Sequence, residues 1–122
     1  MEIAIKKLVN EHFILWNEQD RSKRTLLIEA LYADDVEFID PFVAITGKDK
    51  INDFIDHLHK ENPGFQFTTS NNPDQHHEVA RLVWNFGPDD NKDLIKGEDV
   101  FVISKGLISK VYTFIDKMNS QG

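Results

Sequence analysis

The sequence predicts an α+β domain, with helices packed on one face of an antiparallel sheet. Three observations lead there. Residues 2–58 carry apolar positions at helical spacing in three separate runs. Residues 65–115 carry them at the alternating spacing of strands. The two signals are segregated along the chain, which favours α+β. At 122 residues the chain buries roughly two-thirds of its unfolded surface, enough for one core and a pocket. No repeat, low-complexity tract or linker divides it. Residues 1–118 therefore read as a single domain, and 119–122 as a flexible C-terminal tail.

Ile5, Leu8, Val9, His12, Leu15 and Trp16 form one stripe along a first helix in residues 2–18. Ser22 or Asp20 caps a second helix carrying Leu27, Ile28 and Leu31. Asp34-Asp35 reads as a turn into a strand running from Val36 to Phe42. Thr46-Gly47-Lys48-Asp49 resembles a capping box, after which Ile51, Phe54, Ile55 and Leu58 mark a third helix. Pro63-Gly64 breaks it. Phe65 to Thr68 alternates, and Glu78 to Phe86 forms a longer strand with Leu82, Trp84 and Phe86 on one face. Gly87 to Asn91 is a turn cluster. Leu94 to Ser104 and Leu107 to Ile115 form a hairpin about Lys105-Gly106. The expected order is helix, helix, strand, helix, then four strands.

The net charge of −7 argues against nucleic acid or an anionic membrane as partner, since both need a basic footprint. With no cysteine, disulfides, thiolate catalysis and cysteine metal sites are excluded. No apolar run approaches the roughly 20 residues of a membrane span. The first residues lack a signal-peptide core, so a cytoplasmic location is expected. Val100 and Val102 oppose Phe101 and Ile103 on one strand, which makes both its faces apolar. A second subunit is the simplest cover for the outer face, giving an expected homodimer through the sheet.

Three polar residues fall on apolar faces. Asp40 shares a strand face with Val36, Phe38 and Phe42, where an unpaired carboxylate costs several kcal/mol. It either lines a pocket, with a catalytic base as one use, or caps a turn before Pro41. His12 sits among Leu8, Val9 and Trp16, either as a core histidine satisfied by a carbonyl or as a hydrogen-bond donor and proton shuttle. Asp99 shares a face with Phe101 and Ile103 unless the register slips by one and Glu98 turns in. Facing in, burial favours its protonated, donating form; alternatively it pairs with His12. Trp16, Phe38, Phe42, Trp84 and Phe101 are either aromatic pocket walls or plain core, and Phe54 and Leu58 of the third helix complete the candidate pocket. His57 and His59 splay on their helix, and no histidine–carboxylate set has metal spacing, so no metal is expected.

The segment Leu31-Tyr32-Ala33-Asp34-Asp35-Val36-Glu37-Phe38-Ile39-Asp40-Pro41 resembles the nuclear transport factor 2-like superfamily. So do Gly47 before the third helix, Gly97-Glu98-Asp99-Val100-Phe101 in a late strand, and Gly106-Leu107-Ile108 opening the last. Within that superfamily the chain is similar to SnoaL-like polyketide-cyclase domains and ketosteroid isomerases over nearly its whole length. The resemblance implies a cone-shaped, curved sheet wrapped around the helices, a cystatin-like α+β barrel, with an apolar pocket and frequent dimerisation. It implies for Asp40 the role of general base and for Asp99 that of a protonated donor. His12 stands where ketosteroid isomerases carry a tyrosine. The expectation is a cofactor-free isomerase or cyclase acting on a small apolar carbonyl compound. Its alternative is a binding module for such a ligand or for a protein partner.

Overall fold

Three helices and seven strands follow one another in a computed structural model that describes residues 2–118, with side chains described for 4–116. They are α1 (Glu2–Asn17), α2 (Arg21–Leu31), β1 (Tyr32–Ile39), β2 (Ala44–Thr46), α3 (Lys48–Glu61), β3 (Gln66–Thr68), β4 (Asp74–His76), β5 (Val79–Gly87), β6 (Ile95–Ser104) and β7 (Leu107–Met118). The expected tail, Asn119 to Gly122, lies outside the described residues. Among the described residues no helix is long and apolar enough to cross a membrane.

The α+β architecture agrees with the expectation. The sheet runs β2-β1-β7-β6-β5-β3, with β4 also on β5. It is curved and unclosed, so the expected barrel is an open cone. Its pairings are antiparallel except β1 with β7, which run parallel. That pairing corrects the all-antiparallel sheet, because adjacency of the first and last strands is not encoded in local pattern. Register shifts interrupt β1–β7 and, twice, β6–β7. Such bulges raise local twist and bend a sheet.

Local chemistry explains the elements. Asp20 caps α2, accepting from the Ser22 and Lys23 amides at 2.8 and 3.4 Å. Asp34-Asp35 is not a turn: β1 begins at Tyr32, directly after α2. Nor does a side chain cap α3. Gly47 holds that position at φ 100°, a conformation comfortable only for glycine. Lys105 and Gly106, at φ 55° and 80°, give the β6–β7 hairpin its two consecutive left-handed residues. The three-residue strands β2 and β4 were too short to register as alternation.

Alternation places Leu82, Trp84 and Phe86 of β5, Asp99, Phe101 and Ile103 of β6, and Val111 of β7 inward, beneath Val9, Leu15, Trp16, Ile51 and Ile55 of the helices. Arg24, fully buried, ties α2 to α3 through Asn52 Oδ1 (2.8 Å) and an ion pair with Asp56, and donates to the Glu18 carbonyl (2.7 Å). The outer face of β5–β7 carries Val83, Val100, Val102 and Phe114 beside charged Arg81 and Glu98.

The C-terminal end of α1 is held by side chains. Asn17 donates to the Phe67 carbonyl (2.9 Å) and accepts from its amide (2.7 Å). His59 of α3 lies 2.8 Å from the Trp16 carbonyl through Nε2 and 3.1 Å from Gln19 Nε2 through Nδ1. A neutral ring with its proton on Nε2 satisfies both contacts. Burial, the largest influence, pulls the His59 pKa below its ordinary 6.5, outweighing the Trp16 carbonyl, which raises it. The unfolded chain therefore binds the His59 proton first as pH falls. The stabilisation is whole above pH 6.5 and declines below it. Thermal unfolding between pH 7 and pH 5 should show a falling midpoint, with a shallower slope in His59→Gln.

Candidate functional site

A cavity of about 400 Å³ opens between α1, α3 and the inner face of the sheet. Trp16, Phe38 and Phe54 form one aromatic cluster of its lining, with ring centroids 4.9 to 6.0 Å apart. Phe67, Trp84 and Phe86 form a second, with Phe67 stacked on Phe86 at 4.2 Å. Asp40, His12 and Asp99 line the same space, and so do Phe42 and Leu58. The candidate residues are thus brought together, with one exception. Phe101, 0% exposed, does not line the cavity but packs edge-on beneath His12 at 4.8 Å. Its inward face led to the helix rather than the void.

Asp40 lies one residue past the end of β1, not within the strand. Its Oδ1 accepts from the amides of Phe42 and Val43, both at 2.8 Å. Turn cap and pocket lining, read from sequence as alternatives, are both present. Oδ2 has no partner among the described residues. Asp40 is half-buried at the mouth, beside a Phe42 that is 70% exposed.

The depth of the cavity is organised by a chain of buried hydrogen bonds. Trp16 Nε1 donates to the Tyr32 hydroxyl at 2.9 Å. That hydroxyl lies 2.8 Å from His12 Nδ1, and His12 Nε2 lies 3.5 Å from Asp99 Oδ2. Asp99 Oδ1 accepts from Trp84 Nε1 at 3.0 Å and from the Thr113 hydroxyl at 2.6 Å. Donor counting fixes the direction. An indole nitrogen only donates, so the Tyr32 oxygen accepts and its own proton goes to His12 Nδ1. The His12 proton then sits on Nε2 and faces Asp99. Burial, ahead of the Asp99 charge, pushes the Tyr32 phenol above its usual range despite the opposing Trp16 bond, so it remains a donor.

Asp99 thus faces His12 as the acceptor at the end of this chain; of the two readings the sequence left open, protonated donor and His12 partner, the geometry corresponds to the second. Protonating it toward His12 would turn His12 Nδ1–H onto the Tyr32 oxygen and strand the buried phenol proton. The inward facing of Asp99, and the outward facing of Glu98 near Arg81 (3.8 Å), match the expected register. Gly97 lets this happen. A Cβ there would lie 2.4 Å from Trp84 Cζ2, so its absence lets the indole cross β6 toward Asp99.

Tyr32 and Thr113 were not singled out from sequence. Thr113 carried a signal: it interrupts the apolar alternation Val111, Ile115 as Asp99 interrupts its own strand. Tyr32 carried none, because its role depends on α2 delivering it beside α1. Phe67, His57 and Glu61 also line the cavity, though the sequence places them at a strand edge and a helix end.

Residues 9–111 match the profile of the SnoaL-like domain. The chain belongs to the SnoaL-like family. No curated protein matches it. Among solved structures it is similar to a candidate isomerase of the SnoaL-like family from Agrobacterium tumefaciens, with a TM-score of 0.88 at 26% identity, covering 94% of this chain and 99% of that one. A candidate ketosteroid isomerase from Kribbella flavida superposes with a TM-score of 0.72 at 23% identity, covering 93% and 78%. A candidate polyketide cyclase from Sinorhizobium meliloti does so with 0.72 at 14%, covering 88% and 93%. The last two likenesses speak for fold alone.

Tyr32→Phe should leave Trp16 Nε1 and His12 Nδ1 without their partner and cost about 1–3 kcal/mol in urea unfolding. Imidazole ¹⁵N chemical shifts should show His12 losing its single tautomer. A variant as stable as the parent, with His12 unchanged, would show that the donor order is wrong.

Proposed function

We propose that this SnoaL-like protein is a small-molecule enzyme acting on an apolar carbonyl compound, with Asp40 as the proton-abstracting base. The observation that supports this reading best is that Asp40 and the His12–Asp99 pair line one aromatic cavity. Two backbone amides pin the Asp40 carboxylate and leave its second oxygen open to a C–H bond. As Oδ2 takes the proton beside the carbonyl, the C–H electrons move to the carbonyl oxygen and form an enolate. Returning the proton at another carbon gives isomerisation. Attack of the enolate carbon on a second carbonyl gives cyclisation.

The enolate oxygen needs a donor in the depth. His12 Nε2–H is held loosely: 3.5 Å to Asp99 exceeds the roughly 2.7–3.2 Å of a normal N–H···O bond. A substrate oxygen entering the cavity recruits that proton, while Asp99 keeps the ring oriented, and such a donor contributes about 3–4 kcal/mol to a developing oxyanion. Asp99 here positions His12 instead of donating.

We also infer a homodimer through the outer sheet face, supported by exposed Val83 and Phe114 beside half-buried Val100 and Val102. Sedimentation should find a dimer that Phe114→Glu converts to monomer; a monomeric parent at tens of micromolar would refute it.

Asp40→Asn preserves the turn, because the amide oxygen still accepts both backbone bonds. In deuterated water, exchange of protons beside the carbonyl in a panel of neutral cyclic and aromatic ketones should fall about 10²–10⁴-fold in this variant. Ketone binding should persist. Exchange that survives the substitution removes Asp40 as base. Binding without any exchange, in parent and variant alike, makes the protein a binding module.

A further inference from the structure

Phe42 is out of place for a phenylalanine. It lines the cavity, yet it is 70% exposed. Leu26 and Ile14 are comparably exposed but do not line the cavity, and such isolated surface residues are ordinary. Every other phenylalanine and tryptophan of the lining packs against a neighbouring ring, at centroid distances of 4.2 to 6.1 Å. Phe42 alone among them has no ring partner among the described residues. One face of the cavity mouth is therefore an aromatic ring with nothing against it.

The main chain that carries this ring is fixed. The Phe42 and Val43 amides both donate to Asp40 Oδ1 at 2.8 Å, and the Asp40 amide donates to the Val43 carbonyl at 3.0 Å. With the turn closed by these bonds, the freedom left to Phe42 is rotation of its own side chain. An exposed side chain changes rotamer within picoseconds to nanoseconds. The ring therefore swings over the mouth without moving the carboxylate two residues before it. The same bonds decide what the ring meets. A carbon that presents its hydrogen to Asp40 lies beside Phe42, because the Phe42 N–H is bonded to that carboxylate. A substituent on that carbon has the Phe42 ring as its neighbour, while the carbonyl oxygen points into the depth toward His12.

We propose that Phe42 is a specificity-determining residue, whose ring closes over an aryl group on the carbon beside the substrate's carbonyl. The substrate class is then ketones with an aromatic substituent at that carbon. Two rings in offset or edge-on contact stabilise one another beyond the area they bury, so an aryl group there is favoured over an alkyl group of similar size. The proposal rests on the carbonyl-enzyme reading of this cavity and adds to it the substitution pattern of the substrate.

Two isomers test it. 2-Phenylcyclohexanone and 4-phenylcyclohexanone share one ring, one carbonyl and one phenyl group, and differ in whether the phenyl group sits beside the carbonyl or across the ring from it. Both tryptophans of the chain line the cavity, so intrinsic fluorescence reads each titration directly. The 2-isomer should bind about three- to tenfold more tightly than the 4-isomer. Phe42→Ala should erase that preference, with the 2-isomer losing affinity. Phe42→Tyr, which keeps the ring, should restore it. Asp40→Asn keeps the turn, so the preference should survive there even as proton exchange is lost, and the two readings fail separately. Isomers that bind alike, a 4-isomer that binds better, or a preference that survives Phe42→Ala overturns the role of Phe42 and leaves the carbonyl reading standing. If neither isomer binds at millimolar concentration, both fall.

Discussion

A polar chain buried in an apolar core must satisfy every donor it contains, and that constraint shapes this molecule. Trp16, Tyr32, His12, Asp99, Thr113 and Trp84 come from α1, β1, β5, β6 and β7. Each supplies what the next lacks: an indole that only donates, a phenol that passes the proton on, an imidazole with one nitrogen of each kind, and a carboxylate that accepts. Breaking any link strands a neighbour in the interior at a cost of about 1–3 kcal/mol, more than the bond itself contributes. The helix and the sheet are thereby held in one relative orientation, which packing of Leu, Ile and Phe side chains alone would specify less tightly.

The same network divides the cavity into two regimes. In the depth the polar atoms face one another, with the His12–Asp99 contact loose at 3.5 Å, so polarity there is fixed in direction and poor in free charge. At the mouth Asp40 and Glu61 keep unanswered carboxylate oxygens in contact with water. A ligand oriented along this gradient meets preset hydrogen bonding at one end and unspent charge at the other. Preorganisation of the first kind favours chemistry, because the donors need no rearrangement as charge develops.

Much of this was legible in the sequence, for local reasons. Helical stripes and strand alternation placed all three helices and the long strands. The mismatch of a charged residue on an apolar face singled out Asp40, His12 and Asp99, which do share one cavity. What stayed hidden depended on distant chain meeting. The parallel pairing of β1 with β7 joins segments some 70 residues apart. Tyr32 shows its role only once α1 supplies its two partners, Trp16 and His12. Arg24 was not singled out, although it falls four residues before Ile28 on the buried stripe. Phe101 had the right face and the wrong depth. A pattern gives orientation toward the interior, but not whether the interior at that point is void or protein.

Asn17 does more than fasten α1 to the sheet. Phe67 belongs to β3, the last strand on its side, whose outward N–H and C=O would otherwise be open to another chain. A single side-chain amide occupies both, with the donor–acceptor pair that an incoming strand would present. The sheet is therefore sealed against lengthening along this margin, and edge-to-edge association, the usual route from exposed strands to aggregates, is blocked there by one residue of a helix.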